Sequence, residues 1–306
     1  MSNVIDINGV QIRLSQPVAT PVDWIAQPEP FRQLSAAWKI LGASDWPMVP
    51  RLIGPPGLGK TTLALAVAKS LNRPVFLMQC TSDTRPEDLV VNPVLGQDSK
   101  IHYHASPLFS AVLTGGIAIL DEGNRMPEKS WASLAGLLDH RRTIESVIAG
   151  ITVAAHPEFR CCVTMNEDSS TYEVPEYILS RLQPAVELPF PGHEEELAIL
   201  RYTVPQAPDE ILLFCVAYLQ QAHQLELPFS IRDGASIVRY ALRLMDSQPE
   251  LPIPEAFQQS LAQVLGTGAF DLEALALRRK KQFGDVPRMD SNDFFFDDED
   301  EDLRAE

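Results

Sequence analysis

The stretch GPPGLGKT, eight residues beginning at Gly54, restricts the possible folds more than any other part of the chain. Gly54, Pro55, Pro56, Gly57, Leu58, Gly59, Lys60 and Thr61, followed by Thr62, fit the pattern GxxxxGK[ST] without a gap. The glycines let the backbone turn so that several N–H groups face one anion. Lys60 supplies a mobile cation for the β- and γ-phosphates of a nucleotide, and the Thr61 hydroxyl a ligand for Mg2+. Such a loop needs a strand to deliver it and a helix whose positive N-terminal end points at the same anion. The apolar run 49–53 and the helical composition of 61–71 provide both.

A second acidic element follows. Residues 116–122, GIAILDE, form an apolar run ending in Asp121 and Glu122. In an open α/β sheet the carboxyl ends of parallel strands face the ligand crevice. Asp121 there would hold Mg2+, and Glu122 would polarise the attacking water of a phosphoryl transfer.

The rest of the chain fits an α/β fold. Runs at 49–53, 75–78, 117–120, 162–165 and 185–188 are short, apolar and separated by helical stretches, the signature of buried parallel strands. A three-layer αβα domain over 48–191 is expected. Before it, 1–47 reads as a lead-in broken by prolines, with helical spacing at 31–41. After it, strands stop. Helical spacing at 193–202, 209–225, 232–245, 254–265 and 269–283 predicts a small all-α lid over 192–283. Residues 284–306 are expected to be an acidic disordered tail. From Asp290 onward nine acids face one arginine, half of the whole chain's net charge of −16. Phe294–Phe296 within it reads equally as a docking motif or as part of a solubilising tail.

That acidity argues against nonspecific binding to nucleic acid or anionic membranes. No apolar run reaches the roughly 20 residues of a membrane helix, and no signal peptide stands at the start, so a cytoplasmic location is expected. Cys80, Cys161, Cys162 and Cys215 have no CxxC spacing and read as buried free thiols. Cys161 and Cys162, adjacent in a strand, would point to opposite faces.

GPPGLGKT followed by ILDEGNR resembles the AAA+ ATPases, and specifically the MoxR branch with its CbbQ and NorQ relatives. That branch typically reads DEINR where this chain has DEGNR at 121–125. Four further segments strengthen the resemblance over about 30–245: SPLF at 106–109; RRTIE at 141–145 through HPEFR at 156–160, like the family's pre-sensor hairpin; TYEVPE at 171–176; and LSRL at 179–182. The resemblance implies ATP as the nucleotide, Asn166 as the sensor-1 residue beside the attacking water, and Arg181 as an arginine finger inserted into a neighbouring subunit's site. Arg232 in SIRDG is the sensor-2 candidate, although the family usually reads SPR there. Arg125, Arg141 and Arg142 either line the subunit interface or are solvated. The stretches 94–104 and 143–155 match family insertions that face the ring's pore or surface; ordinary hairpin packing is the alternative.

The resemblance further implies a ring, most often a hexamer, that hydrolyses Mg·ATP and acts as a chaperone on a partner protein complex, commonly with a von Willebrand factor A-domain protein. A nucleic-acid motor or loader is the alternative. The absence of a basic surplus and the apolar hairpins weigh against it. An ATP-gated scaffold and a small-molecule kinase fit the full set of motif residues less well.

Overall fold

A computed structural model describes residues 4–19, 22–42, 44–96, 99–166 and 173–283. In chain order the elements of the first two-thirds are β1 (Val4–Ile7), β2 (Val10–Arg13), α1 (Pro28–Ala37), β3 (Arg51–Gly54), α2 (Lys60–Ser70), β4 (Val75–Gln79), β5 (Val91–Leu95), β6 (Ile101–Ala105), α3 (Pro107–Thr114), β7 (Ile117–Asp121), α4 (Glu128–Leu138), β8 (Thr143–Ser146), β9 (Ile151–Ala154), β10 (Arg160–Asn166), α5 (Glu176–Leu179) and β11 (Ala185–Glu187). Helices follow: α6 (His193–Thr203), α7 (Asp209–Gln224), α8 (Ile231–Ser247), α9 (Ile253–Leu265) and α10 (Leu272–Phe283).

The central sheet is parallel, in the order β11-β3-β10-β7-β4. Its five strands are the five apolar runs of the sequence. Their middles are apolar because both faces are covered, and their polar residues fall mostly at the strand ends. Ile117 and Ile119 pack with Leu63, Val67, Trp38 and Cys162 against α1 and α2. Ala118 and Leu120 pack with Phe109, Trp131, Cys161 and Val163 against α3 and α4. Cys161 and Cys162 thus serve opposite layers, and all four cysteines are free and buried. The Trp38 indole N–H donates to the Cys161 carbonyl at 3.0 Å, tying the end of α1 to the sheet. The fold is the expected three-layer α/β arrangement with a helical C-terminal part.

Two departures concern the periphery. The expected helix at 31–41 lies earlier, at Pro28–Ala37, and Leu41 is 80 % exposed, so it anchors nothing. Prolines at a helix's first positions are tolerated because those N–H groups have no intrahelical acceptor. The lead-in also holds a hairpin that the proline-broken reading of 1–47 missed. β1 and β2 pair antiparallel around Asn8-Gly9, both at positive φ, the chemistry of a two-residue primed turn. β2 then runs parallel to β6, giving a second sheet in the order β1-β2-β6-β5. The stretch 94–104 is therefore half of a packed sheet. Val91 and Ala105, just outside the stretch, join the core, Tyr103 within it packs partly buried against that core, and Leu95 and Ile101 stay exposed. The stretch 143–155 holds the hairpin β8–β9, with Ile144 and Ile151 buried and Val147 and Ile148 exposed at its tip.

Helices α6 to α9 build their own apolar core, centred on Leu200, Cys215, Leu219, Ile237 and Val238. The link from β11 into α6 is held on three sides. Gln27 donates its side-chain amide to Pro189 O at 2.9 Å and its backbone N–H to Glu195 Oε1 at 3.1 Å. Gly192 N donates to Glu195 Oε2 at 3.1 Å. Phe190 stacks on His223 with ring centroids 4.0 Å apart. Among the described residues no helix is long and apolar enough to cross a membrane. The expectations for the acidic tail 284–306, its Phe294–Phe296 cluster and the start of TYEVPE at 171–172 lie outside the described residues.

Candidate functional site

Parallel register brings the chemistry together. Gly54 at the end of β3 lies opposite Asn166 at the end of β10, and Asp121 at the end of β7 lies opposite Gln79 at the end of β4. The phosphate-loop sequence leaves β3 at Gly54 and enters α2 at Lys60, as the motif requires. Gly54, Gly57 and Gly59 all have positive φ, which side chains rarely tolerate.

Lys60 is buried, and its Nζ donates to the carbonyls of Gly54 at 2.6 Å and Pro55 at 2.8 Å. The Thr61 hydroxyl donates to Asp121 Oδ1 at 2.5 Å, and the same oxygen accepts from Thr164 Oγ1 at 2.7 Å. A hydroxyl and a carboxylate side by side form a hard-oxygen pair, which suits Mg2+ with phosphate and water filling its other positions. Leu58 is buried beneath the loop, Pro56 is exposed at its crest, and Thr62 lies beside Gly59.

Glu122 adopts a left-handed backbone at φ 54°, a conformation costing on the order of 1–3 kcal/mol for a residue with a side chain. Its N–H is held by Thr164 Oγ1 at 2.9 Å. Its carboxylate is engaged at both oxygens. Oε1 accepts from Asn166 Nδ2 at 3.0 Å; Oε2 accepts from Gln79 Nε2 at 3.1 Å and pairs with Arg125 Nε at 2.7 Å. Asn124 Nδ2 donates to the Asn166 carbonyl at 2.8 Å, fixing the end of β10 from below.

The helical C-terminal part contributes a second helix end. A Cβ placed on Gly57 would lie 2.2 Å from Ser230 Oγ and 3.4 Å from Arg232 Cβ. The first turn of α8 therefore rests on the loop, and Arg232 stands at its edge. Ser230 caps α8 together with Asp233, whose Oδ2 accepts from Ser230 N at 2.8 Å. Two helix N-termini, those of α2 and α8, converge on one loop, and each favours an anion. Trp24 closes the opposite side, its ring 3.5 Å from a Cβ built on Gly59.

Lys60, Thr61, Asp121, Glu122, Asn166 and Arg232 thus gather around the loop. Arg181 does not. It sits between α5 and β11, where Arg51 at the amino end of β3 donates to Leu182 O at 2.6 Å. The phosphate loop lies at the carboxyl end of that same strand, about 10 Å away at 3.3 Å per residue. Arg181 bonds to the Tyr177 carbonyl and lies 3.7 Å from Asp139 Oδ2. Gln79, Arg125, Thr164 and Trp24 were not singled out as site residues from the sequence. Gln79 belongs to no motif and is located only by the pairing of β4 with β7. Arg125, read as an interface or solvated arginine, pairs with Glu122 and stays 31 % exposed.

Residues 51–182 match the AAA domain (dynein-related subfamily). The denitrification regulatory protein NirQ of Pseudomonas aeruginosa is 30 % identical over 159 residues, covering 52 % of this chain and 56 % of NirQ. The von Willebrand factor A domain-containing protein 8 of Mus musculus is 25 % identical over 209 residues, 62 % of this chain but 11 % of that protein. Among solved structures, RuvB of Thermotoga maritima, a Holliday junction branch migration motor, superposes with a TM-score of 0.55 at 17 % identity, covering 84 % of this chain and 77 % of RuvB. That likeness is one of fold.

Proposed function

Since the chain is an AAA+ protein related to the MoxR-family ATPases, with NirQ and CbbQ among its homologues, we propose that it hydrolyses Mg·ATP at subunit boundaries of a ring and uses the cycle to remodel a partner protein complex. The observation that carries this reading is the convergence of Lys60, Thr61, Asp121, Glu122 and Asn166 at the carboxyl ends of three adjacent strands, under the N-termini of α2 and α8.

The residues fit both groups. Thr61 and Asp121 would hold Mg2+, which when bound neutralises charge on the transferring phosphoryl group. Lys60 exchanges its bonds to the Gly54 and Pro55 carbonyls for phosphate oxygens. The positive-φ glycines turn backbone N–H groups inward, and Arg232 closes over the phosphates from the lid. Glu122 takes the proton of the attacking water, and Asn166 holds that water beside it. In the present arrangement Glu122 is capped by Asn166, Gln79 and Arg125. These donors take three of the roughly four acceptor sites of the carboxylate, so Oε1, held by Asn166 alone, keeps one for the attacking water.

Arg181 acts on the site of the next subunit. Its position at the amino end of the sheet keeps it from the loop of its own chain, which supports a role across a boundary. An arginine there stabilises transition-state charge and is worth about 10³–10⁵ in rate. A closed ring, a hexamer in our proposal, gives every subunit such a neighbour.

Protein rather than nucleic acid is the proposed client. The tips of both hairpins are apolar, with Leu95, Ile101, Val147 and Ile148 exposed, and the chain carries a net charge of −16. A partner with a von Willebrand factor A domain is supported by the likeness to a mouse protein named for such a domain. The test is capture. Glu122→Gln loaded with Mg·ATP binds nucleotide, turns over at least about 10²-fold more slowly and retains its protein partner; Lys60→Ala does not. Normal turnover in Glu122→Gln removes it as the base, and retention of nucleic acid alone replaces the remodelling proposal with a motor.

A further inference from the structure

We propose that Asp139 is a positioning residue for Arg181, fixing the guanidinium in the pose from which it enters the neighbouring site. The proposal rests on the reading of Arg181 as a finger acting across a subunit boundary.

Asp139 occupies an unfavourable place. It is the residue that ends α4, where the helix carries its partial negative charge and a carboxylate is repelled. It is nevertheless only 13 % exposed, between two arginines. Arg141 takes one side with a backbone N–H to Oδ1 at 3.0 Å, its Nε near both oxygens, and NH2 to Oδ2 at 2.8 Å. These bonds hold the Asp139 carboxyl down at about 2, so it is a carboxylate throughout the working pH range.

Oδ2 also faces Arg181 Nε at 3.7 Å. That separation is within ion-pair range but too long for a hydrogen bond, and Arg181 Nε is a buried donor with no hydrogen-bond acceptor. The carboxylate thus attracts the inner edge of the guanidinium. From the other side NH1 donates to the Tyr177 carbonyl, and the guanidinium carbon stands 6.0 Å from the centre of the Tyr177 ring. Three groups set one pose: a ring, a carbonyl and a charge. Of the three, the charge comes from a different part of the chain, and so among the described residues Asp139 ties the pose of Arg181 to the end of α4. A finger held this way loses less freedom on meeting a phosphate, and a misplacement of about 1 Å in such a group costs up to 10²-fold in rate.

The test is a double-mutant cycle on the assembled full-length protein, with kcat and KM for Mg·ATP measured on wild type, Asp139→Asn, Arg181→Ala and the double variant. Asp139→Asn keeps the shape and removes the charge. It is expected to lower kcat roughly tenfold with KM within about twofold, and to have no further effect once Arg181 is gone. Asp139→Glu, which keeps the charge, recovers part of the loss, and Asp139→Ser, which removes it, replaces Asp139→Asn in the cycle if that variant fails to fold. A loss from Asp139→Asn that persists undiminished in the Arg181→Ala background overturns the proposal while leaving the finger in place. Wild-type kcat in Arg181→Ala overturns the finger and the positioning role with it.

Discussion

Gly57→Ala separates two costs that the structure assigns to a single methyl group. The first is backbone strain. Gly57 has φ +84°, a conformation that costs a side-chain-bearing residue about 1–2 kcal/mol, or roughly 5–30-fold in affinity if binding requires the loop in this shape. The second is steric. The new Cβ would stand 2.2 Å from Ser230 Oγ and 2.8 Å from Ser230 Cβ, where ordinary contact is about 3.5–4.0 Å. The start of α8 must therefore back away by about 1 Å, taking Arg232 with it. ATP affinity by titration calorimetry is expected to fall more than about 30-fold in Gly57→Ala. Ser230→Gly removes both clashing atoms while keeping an acceptable cap residue. Added to Gly57→Ala it is expected to restore affinity to within the range of strain alone. If the double variant binds no better than Gly57→Ala, the contact between α8 and the loop does not govern binding, and the lid's part in the site falls.

Other outcomes follow from buried groups. Burial pushes the Glu196 carboxyl up to about 7 from 4.5, opposed in part by Gln220 Nε2 at 2.8 Å. The folded chain therefore keeps a proton that the unfolded chain sheds. The stabilisation is full below about pH 4.5, is lost as pH rises through about 7, and amounts to about 3 kcal/mol. The stability difference between wild type and Glu196→Gln in urea denaturation should change by that amount between pH 4.5 and 8; a constant difference refutes the assignment. The four thiols should resist an aromatic disulfide reagent until the chain unfolds, because burial raises all of them, Cys80 and Cys161 to about 12. Rapid labelling of one thiol in native conditions contradicts its placement. Ile12→Ala removes a fully buried side chain of β2 and should cost about 2–5 kcal/mol in the same denaturation; a cost under about 0.5 kcal/mol would return β1 and β2 to the status of a loose lead-in.

What the sequence revealed and what it concealed have physical causes. The central strands are legible because burial on both faces demands unbroken apolar runs, as in Ile117–Asp121. The phosphate loop and the acids after β7 are legible because their chemistry is local. The β1–β2 hairpin carries a local signal too, Asn8-Gly9 between alternating residues, but the prolines that follow are those of an irregular lead-in and mask it. Gln79, Thr164 and Trp24 left no such trace. Each acts on a residue more than 30 positions away, and only strand order and loop path bring them to Glu122 and Gly59. Arg125 is the opposite case: its partner is only three residues away, but charge alone does not tell which acid an arginine pairs with.

The strand β3 separates what it connects. Lys60 follows its carboxyl end and Arg181 lies near its amino end, so on the proposed reading folding alone never finishes a working unit. An open row of n chains contains n − 1 completed sites, and only closure supplies the last. Concentration then enters the rate law: turnover per chain starts near zero in dilute solution, so that the total rate climbs faster than first order, and it levels off where the row becomes a circle. A plot of specific activity against dilution would read out the strength of the boundary between chains without any measurement of size.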